Sequence, residues 1–485
     1  MQLDFSKLID IVDPTAPTIF KDHQLAEINR LIKYADYYDG DSFKYISAEF
    51  PEYANKKDYR PTKLTINYAR YIINKLASWQ FEIPIDFNCI SDKAEGRADE
   101  IEVDLYEIHK KNLMDSKLLQ SAVECNISGA VPIKLKYDVE KKQVKIMPRN
   151  WIECFPLWEF DDYENIYKVH FVAFKDENTV WKQTFELVNK VCYIEEAIYD
   201  LKQINAPKEV IIEYQPLGNN GKWLDFIPVY IIPNLPQIGE VCGLSELKDQ
   251  IPILDEINKK YSDLSDSLKF DMFAITVFLN AKIPLGPDGK PLLSGKAGAA
   301  WALTGVSPTE NIKPEVFKLQ SEFQYIDSLK YLVDSLLAAL YELSEVVNLS
   351  VDKISGLSNL SGVALKLLFA AIISKTNKKN VIWEAKLREM YMGVLKMMSI
   401  YEGYKIPDDL DIEVISHSPL PANELETVQI HSEKVAAGFE SVTSAMNELG
   451  IEDPELEIAK IIEEKVKYDK ALNIDALRNS HNQGV

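Results

Sequence analysis

Cysteine, histidine and basic charge are all scarce in these 485 residues, and each scarcity removes a class of function. The five cysteines (Cys89, Cys125, Cys154, Cys192 and Cys242) are odd in number, lie 29 or more positions apart and form no CxxC. Neither a disulfide framework nor a zinc site is expected, and a reducing cytosolic compartment fits. The six histidines (His23, His109, His170, His417, His431 and His481) show no HxH, HExxH or His-Cys spacing, so no metal and no cofactor are expected. Lys+Arg number 54 against 75 Asp+Glu, a formal charge of -21, which argues against nonspecific capture of nucleic acid over the whole surface. The longest apolar run, around Leu367 to Ile373, is far short of the roughly 18 to 20 residues of a membrane span. Asp4, Asp10 and Asp13 stand where a signal peptide would be basic and then apolar, so none is expected. No GxSxG elbow occurs. Around Gly295-Lys296 a phosphate loop fails, with Lys290 in place of its first glycine and Ala297 in place of Ser or Thr.

What remains is ordinary globular material, 46% hydrophobic and 27% charged, long enough for two to four cooperative units. Helical spacing runs from Phe20 to Tyr37, from Lys63 to Trp79 and from Ala94 to Ile127. Ile133–Tyr137 and Val144–Ile146 alternate apolar with polar around Glu140-Lys141-Lys142, the pattern of a half-buried hairpin. Further strands are expected at Tyr167–Phe174, Thr179–Val188, Val191–Glu195, Val210–Tyr214 and Ile227–Ile232. A long helix opens at Gly243-Leu-Ser-Glu246, and a second, from near Gln320, repeats Ile326, Leu329, Val333, Leu336, Leu340, Leu343 and Val347 in steps of three and four. That is a supercoiling seam, which needs a helical neighbour. Between these helices, residues 271–318 are rich in Gly and Pro and lose helical period. A third long helix is expected from Gly362 to Gly403. The fold class is α+β and predominantly helical.

This order of parts resembles the portal protein family of tailed double-stranded DNA bacteriophages. The resemblance rests on Tyr34-Ala-Asp-Tyr-Tyr-Asp-Gly40, Asn67-Tyr-Ala-Arg-Tyr-Ile-Ile-Asn-Lys75, Phe81-Glu-Ile-Pro84 and Met147-Pro-Arg-Asn-Trp-Ile-Glu-Cys-Phe-Pro156. It continues through Ile227-Pro-Val-Tyr-Ile-Ile-Pro-Asn234, Gly243-Leu-Ser-Glu-Leu247 and Ser361-Gly-Val-Ala-Leu-Lys366, and covers residues 20–440. It implies a ring of twelve subunits at one capsid vertex of the virion, assembled in the bacterial cytoplasm. Double-stranded DNA would pass through the ring during packaging and ejection. Residues 1–243 would form an α+β wing that meets the major capsid and scaffolding proteins. Residues 244–270 and 319–347 would be the stem helices, with the clip at 271–318 docking the terminase large subunit and later the head–tail connector. A tunnel loop, 348–361, would lie beside the DNA, followed by a long helix returning to the wing (362–415) and an acidic helical crown and tail (416–485).

Candidate contact residues follow from that layout. In the tunnel loop they are Asn348, Ser350, Asp352, Lys353, Ser355, Ser358 and Asn359, able to make weak, sequence-blind phosphate contacts. In the clip they are Lys282, Lys290, Lys296, Trp301 and Lys313, with Trp301 a partner anchor or a neighbour-packing residue. Lys366, Lys375, Lys378, Lys379, Lys386 and Arg388 make the third helix basic, to face DNA or, as favoured, to pair with acidic groups of neighbouring subunits. From Lys405 onward there are 7 basic and 17 acidic residues, a net of -10. An acidic channel mouth would leave a duplex free to slide. No catalytic residue is expected. The alternatives are a non-viral cytosolic helical scaffold or adaptor, for which paired helices suffice, and a nucleic-acid-processing enzyme, whose carboxylate cluster or nucleotide loop is not visible as a motif.

Overall fold

The polypeptide divides into two units: Met1–Asn348 with Ala371–Ser418, and Leu349–Ala370 with Pro419–Val485. The computed structural model describes residues 6–12, 18–57, 59–159, 161–238, 242–272, 276–282, 285, 287, 304–305, 315–318, 325–348, 362–417, 419, 424–449, 451, 454–465 and 467.

The first unit opens with helices α1 (Ser6–Val12), α2 (Thr18–Asp39), α3 (Phe43–Glu49) and α4 (Tyr68–Phe81), then strand β1 (Asp86–Ile90). The expected helix at 94–127 is two, α5 (Glu95–Lys111) and α6 (Met114–Ser128). Leu113 between them takes a left-handed φ of 54°, a break that no proline or glycine announces. Strands β2 (Ala130–Asp138) and β3 (Gln143–Pro148) form the expected hairpin. Next comes an antiparallel meander of β4 (Cys154–Glu159), β5 (Asp162–Phe174), β6 (Thr179–Val188), β7 (Val191–Asp200) and β8 (Gln203–Pro216), paired in that order. A small hairpin, β9 (Gly218–Asn219) with β10 (Lys222–Trp223), leads to β11 (Val229–Pro233), which joins the far edge of β2.

The long helix α7 spans Ile251–Met272. It starts later than its apolar spacing suggests, because residues 246–250 form turns. Short strands follow: β12 (Thr276–Leu279) pairs with β15 (Glu315–Lys318), and β13 (Ala281–Lys282) with β14 (Thr304–Gly305). Helix α8 is Ile326–Ser344 and packs on α7. The expected third long helix is α9 (Gly362–Leu368) and α10 (Ala370–Glu402). Strand β16 (Asp411–Ile415) then pairs antiparallel with β1, Asp86 facing Ile415. The second unit also holds α11 (Glu424–Ala436), α12 (Val442–Glu448) and helical residues 454–465.

One core fills the space between α4, α5, α6, the β11-β2-β3 sheet and α10. Trp383 of α10 meets Phe81 edge-on at 4.9 Å, and Tyr391 meets Phe87 at 4.8 Å, geometries that add to simple area burial. The buried Tyr391 hydroxyl is satisfied by His109 Nδ1 at 2.7 Å, while His109 Nε2 meets Asp115 at 2.8 Å. The alternation in β2 and β3 brings Ile133, Leu135, Val144 and Ile146 into the core, but β2 is not half-buried as expected: Lys134, between Ile133 and Leu135, is buried too, because the other face of β2 is covered by β6.

Residues 62–66 are extended rather than helical, and they run along α7. The Thr62 N–H donates to Asp266 (2.9 Å), the Leu64 N–H to Ser262 Oγ (3.0 Å) and the Ile66 N–H to Asn258 Oδ1 (2.9 Å). Two extended residues span about 6.6 Å. Four helical residues span about 6 Å, so alternate amides meet every fourth side chain of an antiparallel helix. Tyrosines extend the ladder: Tyr37, Tyr53 and Tyr59 donate to Asp255 (2.7 Å), Asp263 (2.8 Å) and Asp266 (2.6 Å). Replacing Asn258 and Ser262 together by Ala strips two of these amides of their acceptors, at about 1–3 kcal/mol each. Hydrogen exchange at Leu64 and Ile66 is expected to accelerate at least tenfold; unchanged protection would show that the ladder holds nothing.

Candidate functional site

Glu246 carries the most tightly held charge cluster among the described residues. Its side chain is 7% exposed, and its two oxygens each meet a lysine at 2.7 Å: Oε1 with Lys379 and Oε2 with Lys375. The lysines are 3% and 7% exposed. They stand four apart on α10, so one helix face presents both. Lys379 Nζ also donates to Asn126 Oδ1 of α6 (2.6 Å), and Lys375 Nζ to the Ser344 carbonyl at the end of α8 (3.2 Å), with Glu345 3.8 Å away. Asn234, at the end of β11, donates through Nδ2 to the Leu244 carbonyl (2.7 Å) and to Glu246 Oε1 (3.1 Å).

Backbone bonds pin the same place. The Glu246 N–H donates to the Asn126 carbonyl (2.9 Å), Leu244 N–H to Asn234 (3.0 Å) and Asn234 N–H to Gly129 (2.8 Å). Two glycines make this approach possible. Gly129 has φ +86°, and a Cβ there would stand 2.4 Å from the Gly243 carbonyl oxygen; a Cβ on Gly243 would stand 1.9 Å from that of Asn234. The knot therefore joins α6, β11, the approach to α7, the end of α8 and the first turns of α10. Burial alone would push the Glu246 carboxyl up; Lys379 and Lys375 overturn that and pull it down to about 2.

The six basic positions of the third helix separate by face. Lys375 and Lys379 differ from the surface role expected of them: both are buried and pair within their own chain. Their stripe continues through Trp383, Leu387 and Met390 into the core. Lys378, Val381, Ala385 and Arg388 form the exposed stripe. On that stripe Arg388 pairs with Asp411 (2.5 Å), and Lys386 pairs with Glu389 (2.9 Å) one turn on. Lys366 and Lys378 are exposed. Asn348 is half-buried and Lys282 is exposed. Ser350, Asp352, Lys353, Ser355, Ser358 and Asn359 lie outside the described residues, as do Lys290, Lys296, Trp301 and Lys313. Glu246 stands inside the Gly243-Leu-Ser-Glu246 segment that the sequence singles out, yet only as a helix opening. The lysine pair at i and i+4 was the available signal of a shared partner.

Among the described residues no group of three His, Cys, Asp or Glu could hold a metal ion. No described helix is long and apolar enough to cross a membrane.

The family described as "Phage portal protein, SPP1 Gp6-like" matches residues 18–471. The chain belongs to that family. Portal proteins are structural, not enzymatic. No curated protein matches. Among solved structures, a chain from "Neck of empty GTA particle computed with C6 symmetry" aligns with 12% identity and a TM-score of 0.44, covering 79% of this portal chain and 90% of that chain.

Two outcomes follow for the knot. Glu246→Ala strips two buried ammoniums of their close carboxylate, leaving Lys375 only the longer contact to Glu345, and is expected to cost about 3–5 kcal/mol in denaturant unfolding, whereas Glu246→Leu with Lys375→Met and Lys379→Met recovers most of that loss. A single variant as stable as the parent would remove the knot's energetic role.

The second outcome is a pH dependence with two limbs. Glu246 sits below its ordinary 4.5, so its contribution is full above pH 4.5 and fades as pH falls towards 2. Asp255 has the opposite sign: burial lifts it to about 6, against the Tyr37 hydrogen bond and Lys33 and Lys259, so folding is relieved as pH falls through 6. Glu246→Gln is expected to flatten the acid limb, and Asp255→Asn the limb near pH 6, in thermal unfolding scans.

Proposed function

We propose that this portal protein forms a twelve-subunit ring at one capsid vertex of the virion, through which double-stranded DNA is packaged and later ejected. The family match over residues 18–471 carries the reading. On it, α7 and α8 are the stem, residues 271–318 the clip that docks the terminase large subunit and then the head–tail connector, and 348–361 the tunnel loop. Residues 1–243 are the wing against the major capsid and scaffolding proteins, and the acidic 416–485 the crown.

Several observations support the arrangement. Residues 345 and 375, which bracket the tunnel segment, are both tied to the knot, so a loop beside moving DNA would start and finish on a buried anchor. The apolar seam of α8 is only partly covered by its own chain: Ile326 and Leu343 remain 42% and 55% exposed, and beside the seam Leu332 and Tyr331 remain 39% and 77% exposed. So do Leu268, Phe270 and Met272 on the last turns of α7. Such a surface is what a heterologous interface buries when a ring closes. Lys366 and Lys378 are the third-helix cations left to face DNA or a neighbour.

The test is particle mass and symmetry of the purified protein by native mass determination and single-particle imaging. Twelve copies of 55.3 kDa give roughly 660 kDa with a central channel. Leu343→Glu is expected to leave the subunit folded and to abolish the ring; a folded wild-type chain that never exceeds a dimer, with or without scaffold, would refute the reading.

A further inference from the structure

Between the β2 side of the three-stranded sheet and strands β6, β7 and β8 lies a cavity of about 330 Å³, lined also by Met397 and Tyr401 of α10. Lys134 lines it and is 6% exposed. Its Nζ donates to Gln183 Oε1 at 2.7 Å and stands 5.2 Å and 5.3 Å from the ring centres of Phe171 and Trp181. No carboxylate among the described residues lies within ion-pairing distance of it. Glu196, the acid in the cavity wall, already accepts from Trp181 Nε1 (2.9 Å) and Gln183 Nε2 (2.7 Å), one bond to each oxygen.

The other buried lysines are treated differently. Lys375 and Lys379 face Glu246, and Lys182 reaches the Ile11 carbonyl (2.9 Å) at the end of α1. Nearby Arg149 has its own acid, Glu153, at 2.6 Å. Lys182 also borders a cavity, but Lys134 is a buried cation beside open volume whose hydrogen-bonding partner is a neutral side-chain amide, and a buried charge is costly until it is paired. Burial, with Arg149 and Lys136 adding to it, pushes its ammonium down to about 8, against the pull of Glu196 and Glu153.

We propose that this cavity binds a small amphiphilic carboxylate, its anionic head on Lys134 and its apolar body against Leu217, Met397 and Tyr401. The volume is at the lower end for small-molecule sites. One buried cation matches one negative charge, and a phosphate dianion would bring excess charge towards Glu196. The apolar wall selects against a free inorganic anion.

Sodium octanoate is the probe, titrated calorimetrically into the full-length protein. Saturable binding with one site per chain is expected, weakening about tenfold from pH 7 to pH 9 as an ammonium of pKa about 8 loses its proton. The charged groups that face Lys134 are Arg149, Lys136, Glu196 and Glu153, and burial holds the wall phenols Tyr137 and Tyr401 above their ordinary value. Lys134→Met, checked for an intact thermal transition, is expected to lose binding at least tenfold. The 1-octanol control keeps the wild-type test decisive if that variant does not fold: octanol bound as tightly as octanoate would overturn the proposal. Absence of saturable octanoate binding would also overturn it. So would binding to the free subunit that disappears in the assembled ring, which would give the cavity to a carboxylate of the neighbouring copy.

Discussion

A carboxylate held out of water between two ammonium groups governs the architecture around Glu246. Ionised groups this buried are tolerated only when each is paired and its remaining hydrogen-bonding capacity is met. Here the requirement is satisfied from five directions: α6 supplies Asn126, β11 supplies Asn234, the end of α8 supplies the Ser344 carbonyl, and α10 brings both lysines to the segment that precedes α7. A buried ion cluster is weak as a source of net stability and stronger as a device that fixes register. Sliding α10 by one residue would strand two ammoniums in the core, and a side chain on Gly243 or Gly129 would push the backbone segments apart. The knot therefore sets where α7 begins and where the chain returns along α10.

Helix α7 is fixed a second time along its length. The extended residues 62–66 and the tyrosines of the N-terminal segment engage Asp255, Asn258, Ser262, Asp263 and Asp266, a nearly continuous polar stripe. Each bond is modest alone. Their common registry makes them act together, because the rise of two extended residues nearly equals that of four helical ones. With much of its polar face taken by its own chain, α7 leaves exposed apolar side chains near its end, and α8 leaves Ile326 and Leu343 of its seam exposed.

Local pattern was sufficient where the physics is local. The 133–146 hairpin, the strands of the meander and the seam of α8 follow from alternation or from steps of three and four. Pattern failed where a distant partner decides. Residues 63–66 have helical spacing, yet they lie extended because side chains about two hundred positions later accept their amide protons. Leu113 breaks a continuous helical pattern without a breaker residue. Lys375 and Lys379 were legible as a basic run but not as buried, since what permits their burial is one glutamate far upstream.

The division of α10 into two basic stripes bears on how such a chain could surround DNA. A duplex that must move cannot be held by many phosphate contacts, since each contributes affinity and a further increment of salt dependence. Counting six cations on the third helix overstates its grip: Lys375 and Lys379 answer Glu246, Arg388 answers Asp411 and Lys386 answers Glu389. The cations that hold the subunit together are withdrawn from any passing polyanion. With a formal charge of -21 overall, the exposed remainder favours a surface that repels or ignores phosphate. The ion pairs that give the fold its register would also keep a channel from becoming a trap.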